Sequence, residues 1–283
     1  MLYTLKEILE NTKKEKYAVG AFNFNSFEDA QGMLDGAREM KSPIILMASM
    51  GAVRHIGTEQ CVAIVRGMAK TAGIPVCLHL DHATDLELIR DCIDAGFTSV
   101  MIDASKKKFG DNISICRNVV EYAHKMQCSV EAELGRIGGR EENIVVHSKD
   151  KMLTYPEDVP VFVEKTGIDA LAVAIGTAHG FYKEKPNLDF ERLQKINMLT
   201  DIPLVLHGGT GVPDEDFKKA ISIGMSKINV GTELKQAFVD TIKETVKVEP
   251  EVSDPRPYMM NIRHECAQRV KNKIEIFGSA GKA

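Results

Sequence analysis

The sequence predicts an α/β chain closed into a single (β/α)8 TIM barrel with a helical extension at the C-terminus, and three observations predict it. Short, almost continuously apolar runs recur along the chain, as do strands buried on both faces of a parallel sheet. Segments of helical length separate them, so each strand returns by a crossover. Eight such units can be counted, which favours a closed barrel over an open doubly wound sheet.

The apolar runs fall at 18–22, 43–48, 76–80, 99–102, 129–134, 170–175, 203–206 and 227–230. Asp85 stands before Leu86 and Asp111 before a stripe over 113–126, as an acid or cap residue precedes a helix. Gly73, Gly96, Gly167 and Gly224 stand where helices should stop and turn toward the next strand. Two segments break the rhythm. Residues 135–155 read as a loop rich in glycine and charge, either a mobile lid or a disordered insertion. Residues 249–257 read as a polar bend leading to a final helix near 260–276, so 249–283 extend the same domain.

With 283 residues, 44% hydrophobic and 27% charged, the chain can bury one large core as a single domain over 1–283. A net charge of −4 leaves no basic footprint for nucleic acid. No apolar run reaches membrane-spanning length and the N-terminus carries no export signal, so a cytoplasmic location is expected. The six cysteines form no C-x-x-C pair and read as buried, reduced thiols.

Barrel chemistry sits where strands end at their C-termini. Three of the eight histidines lie there: His82, His179 and His207, just past the third, sixth and seventh strands. Three imidazoles with an open fourth position form the ligand set of a catalytic zinc site. His79 shares a strand face with Asp81 and reads as a packing or ligand-orienting residue. His55, His124, His147 and His264 fall elsewhere and receive no role. Asp81 precedes a presumed ligand, either as a general acid/base or as a carboxylate that orients a ligand. Gly208, Gly209, Thr210 and Gly211 follow strand seven, and Asn229, Val230, Gly231 and Thr232 follow strand eight. These are simple turns or, as barrels commonly use that position, a phosphate cradle.

Several runs, Tyr17 to Asn23, His79 to His82, Ser99 to Ser105, Ser129 to Gly135, Ala174 to Gly180, Leu206 to Gly211 and Lys227 to Glu233, together resemble the class II fructose-bisphosphate and tagatose-bisphosphate aldolases over essentially the whole chain. The resemblance implies a lyase of carbohydrate metabolism such as glycolysis, with Zn2+ on His82, His179 and His207 and proton transfer by Asp81. It implies that Gly180, Gly208 to Gly211 and Asn229 to Thr232 contact the dihydroxyacetone phosphate half of a ketose bisphosphate, with a monovalent cation, Na+ or K+, nearby. Glu142, or its neighbour Glu141, matches the acid of the family's mobile loop, and Glu133 and Asp103 match supporting acids near the metal. A homodimer or homotetramer is implied as well. Gly211 and Gly231 depart from residues that many relatives carry, which puts a phosphate hydroxyl contact in doubt at the first and would loosen the loop at the second.

The expected reaction is reversible retro-aldol cleavage of fructose- or tagatose-1,6-bisphosphate. Alternatives are an aldolase for a phosphorylated deoxy-sugar acid of inositol breakdown and a non-catalytic zinc-binding barrel subunit. A zinc hydrolase would not need the phosphate loops. A Schiff-base aldolase needs a lysine inside the barrel, and the sixth strand offers none.

Overall fold

The computed structural model describes residues 1–141, 144–146, 152–182, 185–248, 250–251 and 253–283, and of 139–141 and 144–146 the backbone alone. Its strands in chain order are β1 (Val19–Asn23), β2 (Ile44–Ser49), β3 (Val76–Ala83), β4 (Ser99–Ile102), β5 (Ser129–Leu134), β6 (Gly138–Glu141), β7 (Ile144–Val146), β8 (Ala170–Val173), β9 (Ala178–His179), β10 (Leu204–Leu206) and β11 (Met225–Val230). A closed parallel barrel runs β1-β11-β10-β8-β5-β4-β3-β2, with helices between successive barrel strands. Each barrel strand coincides with a predicted apolar run to within a few residues.

The period-two alternation of strand side chains divides the apolar residues into two cores. Outward residues, among them Leu46, Leu78, Leu80, Val100, Val130, Leu171, Leu204 and Ile228, pack beneath the ring of helices. Inward residues Val19, Ala21, Ile45, Met47, Cys77, Met101, Ala170, Ala172 and Val205 fill the lower lumen. The helix Leu5–Leu9 closes that end, adding Leu5, Ile8 and Leu9 to the inner core. Thr4 and Glu7 cap it reciprocally, and Lys6 N donates to Ser129 Oγ at 3.1 Å, anchoring it to the start of β5. Each of the three apolar side chains contributes about 1.5–3 kcal/mol by burial. Five residues carry too little periodicity for the sequence to reveal this plug.

Asp85 caps the helix Leu86–Ala95 through the amides of Glu87 and Leu88, and Gly73, Gly96, Gly167 and Gly224 all stand at helix C-caps, as expected. All six cysteines are buried and free. Three segments differ from expectation. The helix Phe109–Ala123 starts ahead of Asp111, which lies in its first turn. The final helix, Arg256–Phe277, takes in part of the expected bend, because Pro257 sits in the first turn, where its missing N–H costs no hydrogen bond. Most consequentially, 135–155 is not a plain loop. β6 and β7 form an antiparallel hairpin, and β6 pairs in parallel with β9, Gly138 opposite Ala178 and Gly139 opposite His179. The β-branched run Ile144, Val145, Val146 favours strand.

Candidate active site

Asp81 and His82 are consecutive on β3, so a regular strand would send them to opposite faces. The register with β4 shifts between Leu80 and Ala83: three steps along β3 answer two along β4. One residue is therefore extra, a β-bulge, and His82 takes φ +46°, in the left-handed region. That conformation costs about 1–3 kcal/mol in a non-glycine residue and persists only where surroundings enforce it. Its effect is that both side chains reach the lumen, where Asp81 meets Asn23 and Asn229 and His82 meets His207.

Nitrogen atoms of His82, His179 and His207 lie within 4.8 Å of one another. His207 Nδ1 and His82 Nε2 approach to 2.5 Å, and the His82 ring stands edge-on to both others, 4.7 Å from His179 and 4.4 Å from His207 between centroids. Burial, with His82 and Lys227 adding to it, holds the His207 imidazole well below the usual histidine range. Neutral imidazole is the form that binds a metal, so the donor set fits a divalent ion. A second group also converges: His82 Nδ1 lies 3.5 Å from Asp103 Oδ2 and 4.0 Å from Glu133 Oε2. Burial and the adjacent Asp103 push the Glu133 carboxyl up to about 8.

The Asp81 carboxylate accepts from Asn23 Nδ2 at 2.9 Å on one oxygen and from Asn229 Nδ2 at 3.2 Å on the other. Beneath the histidines, Glu131 accepts from His207 Nε2 at 2.7 Å and from Lys227 Nζ at 2.8 Å, with all three side chains fully buried. His79, expected to pack or orient, shares a 2.7 Å hydrogen bond with Ser99 Oγ and lies 3.8 Å from Glu131. The sixth barrel strand has no lysine, as expected, but β11 brings Lys227 into the lumen.

Above the histidines opens a cavity of about 270 Å³. Gly180, Gly208, Gly209, Thr210, Asn229, Gly231 and Thr232 line it together with His179, His207, Asn23 and Lys235. Two of its glycines have steric reasons. Gly208 sits at φ +68° with its missing Cβ position 2.4 Å from Ala178 O, and a Cβ on Gly231 would stand 2.5 Å from Asn23 Oδ1. Of the remaining predicted residues, Val230 turns its side chain outward into the annular core and Gly211 lies against the Tyr182 ring. Glu142 lies outside the described residues, as does the side chain of Glu141.

Sequence reasoning assigned no role to Asn23, Glu131, Tyr182, Lys227 or Lys235. Period-two spacing held a signal for two of them: Glu131 and Glu133 alternate with Val130 and Ala132, and Lys227 and Asn229 with Ile228 and Val230, so the polar set shares the inner face. Tyr182 gave none. Its Oη accepts from Ala178 N and donates to Gly208 O, both at 2.8 Å, tying the His179 loop to the His207 loop.

Residues 3–282 match the family described as fructose-bisphosphate aldolase class-II. The chain belongs to the class II aldolases. Among solved structures, the YdjI aldolase from Escherichia coli is 36% identical, with 100% of each chain covered and a TM-score of 0.88. A fructose-bisphosphate aldolase from Campylobacter jejuni is 26% identical, covering 100% of this chain and 97% of its own, with a TM-score of 0.86. This class II aldolase is thus a carbon–carbon lyase of sugar-phosphate chemistry. Among its described residues, no helix is long and apolar enough to cross a membrane.

Proposed function

We propose that the chain cleaves a ketose-1,6-bisphosphate, fructose or tagatose, reversibly into dihydroxyacetone phosphate and glyceraldehyde 3-phosphate. The observation that carries this reading is the setting of Asp81: a buried carboxylate, clamped by two amides, beside three convergent histidines. His82, His179 and His207 would hold Zn2+, which when bound supplies Lewis-acid polarisation of the ketose carbonyl. Asp81 takes the proton of the C4 hydroxyl as the C3–C4 bond breaks, and the electron pair of that bond passes to C3 and onward to the C2 oxygen. The Asn23 and Asn229 amides keep the carboxylate aimed during the transfer. Asn229 Oδ1, buried and without a hydrogen-bond partner among the described residues, is an acceptor for a substrate hydroxyl. Glu142, assigned by family resemblance, then protonates C3.

The C1 phosphate sits on the backbone amides of Gly180, of Gly208 to Gly211 and of Asn229 to Thr232, at the N-terminus of the helix Thr232–Val248, whose dipole favours an anion. Lys235, on that helix, adds the cationic side chain, and a monovalent cation, Na+ or K+, completes the subsite. Lys227 Nζ is engaged by Glu131 at 2.8 Å and does not line the cavity, which argues against a role as an imine-forming amine. We further propose one domain over 1–283, a homodimer or homotetramer, and a cytoplasmic location.

Comparing kcat/KM for fructose-1,6-bisphosphate, tagatose-1,6-bisphosphate and a phosphorylated deoxy-ketosugar acid, with triose phosphate release as the signal, tests the reading. We expect one bisphosphate to lead. Chelator-insensitive cleavage, or release of inorganic phosphate in place of a triose phosphate, would refute it.

A further inference from the structure

We infer that Lys227 and Glu131 act as a positioning pair that fixes which nitrogen of His207 faces the metal centre. This rests on the reading of His82, His179 and His207 as that centre, and it assigns a function to a buried ion pair that substrate never touches.

A carboxylate only accepts, so the 2.7 Å contact between His207 Nε2 and Glu131 Oε1 places the imidazole proton on Nε2. Nδ1 then carries the lone pair, and Nδ1 is the atom that approaches His82 Nε2. Without the carboxylate the ring is free to hold its proton on Nδ1, which would present an N–H where a ligand lone pair is required. Lys227 satisfies the other Glu131 oxygen at 2.8 Å. It balances a charge that could not otherwise stand fully buried in the lumen. The ion pair lies across the barrel, from β5 to β11, directly beneath the histidines. β11 also carries Asn229, two residues on, which holds Asp81. One strand thus serves the ligand with Lys227 and the base with Asn229.

The rival is that Glu131 and Lys227 merely fill the lumen as matched charges. Replacing both by apolar residues of similar volume separates the two, because a buried ion pair exchanged whole for apolar groups is commonly neutral or stabilising. The full-length Glu131→Leu/Lys227→Met variant is compared with the parent for thermal stability of the metal-free protein and for Zn2+ affinity by chelator competition. Glu131→Gln retains an acceptor oxygen and serves as the conservative variant.

The expected result is a double variant that melts no lower than the parent yet binds Zn2+ about 10–100-fold more weakly, with Glu131→Gln recovering part of the loss. Histidine 15N spectra of the metal-free proteins should place the His207 proton on Nε2 in the parent and in Glu131→Gln. Zn2+ affinity within about twofold of the parent in the double variant overturns the inference, as does a His207 proton on Nδ1 in the parent. Should the double variant fail to fold, the histidine spectra of the parent and of Glu131→Gln decide: a His207 proton on Nε2 in both supports the inference, and one on Nδ1 in either overturns it. A parent that binds no Zn2+ at all overturns the metal reading itself, a failure visible before any variant is made.

Discussion

The two halves of the barrel lumen are built from the same strands and differ in kind. In the lower half Ala21, Met47, Cys77, Ala172 and Val205 meet the plug formed by Leu5, Ile8 and Leu9, and the space is filled by apolar contact. Two residues further along the same strands stand Asn23 after Ala21 and His79 after Cys77, then Asp81 and His207, all buried as deeply. The upper half is held by directional bonds: Asn23 and Asn229 on Asp81, Lys227 and His207 on Glu131, Ser99 on His79. Apolar packing tolerates substitution in proportion to volume, whereas a buried polar network depends on each partner. One end of the lumen is therefore built for stability, and the other holds the residues proposed for the chemistry.

Substitutions at the two ends should consequently dissociate stability from rate. The largest effect is expected for Asp81→Ala, which should lower kcat/KM by about 10²–10⁴-fold in steady-state cleavage assays. Activity within tenfold of the parent while Zn2+ is bound would remove Asp81 from the proton transfer. At the opposite end, Leu9→Ala should cost about 2–5 kcal/mol in urea unfolding, with kcat/KM per folded molecule nearly unchanged. A large fall in kcat/KM there would show that the two halves are coupled after all.

Smaller effects sharpen the boundary within the upper half. Lys235→Met should raise KM for the bisphosphate about tenfold or more, from loss of a charged hydrogen bond of ~1.5–3 kcal/mol. It should also reduce the preference for dihydroxyacetone phosphate over unphosphorylated dihydroxyacetone in the synthetic direction. An unchanged preference would place the phosphate elsewhere. Tyr182→Phe keeps the ring against Gly211 and loses the two bonds between the histidine loops, worth about 1 kcal/mol each. A few-fold loss of Zn2+ affinity is expected together with a fall of a few degrees in melting temperature, and an unaltered affinity would reduce Tyr182 to packing.

Much of this was legible in the linear chain. Apolar runs, helix caps and glycine stops are local, so the eight strands and their order could be read directly. His82, His179 and His207 could be nominated because each lies at or just past the end of a strand, where barrel chemistry sits. The glycine-rich loops proposed for the phosphate were visible for the same reason, whereas the outward turn of the Val230 side chain at the end of β11 and the packing of Gly211 against Tyr182 were not. The helix Leu5–Leu9 and the β6–β7 hairpin escaped because each is brief and is stabilised by partners far along the chain, Ser129 for the one and the His179 segment for the other.

What the sequence by itself determined, then, was the barrel and the identity of its rim residues, since alternation and capping act over a few neighbouring positions. Only the tertiary structure decided how those residues work together. The β3 bulge turns His82 inward beside Asp81, Asn23 and Asn229 clamp that aspartate from strands adjacent across the barrel closure, and Lys227 meets Glu131 across the lumen. Each of these joins groups between 50 and 150 positions apart or depends on a register between strands. Such pairings are set by closure of the barrel, and no local pattern encodes them.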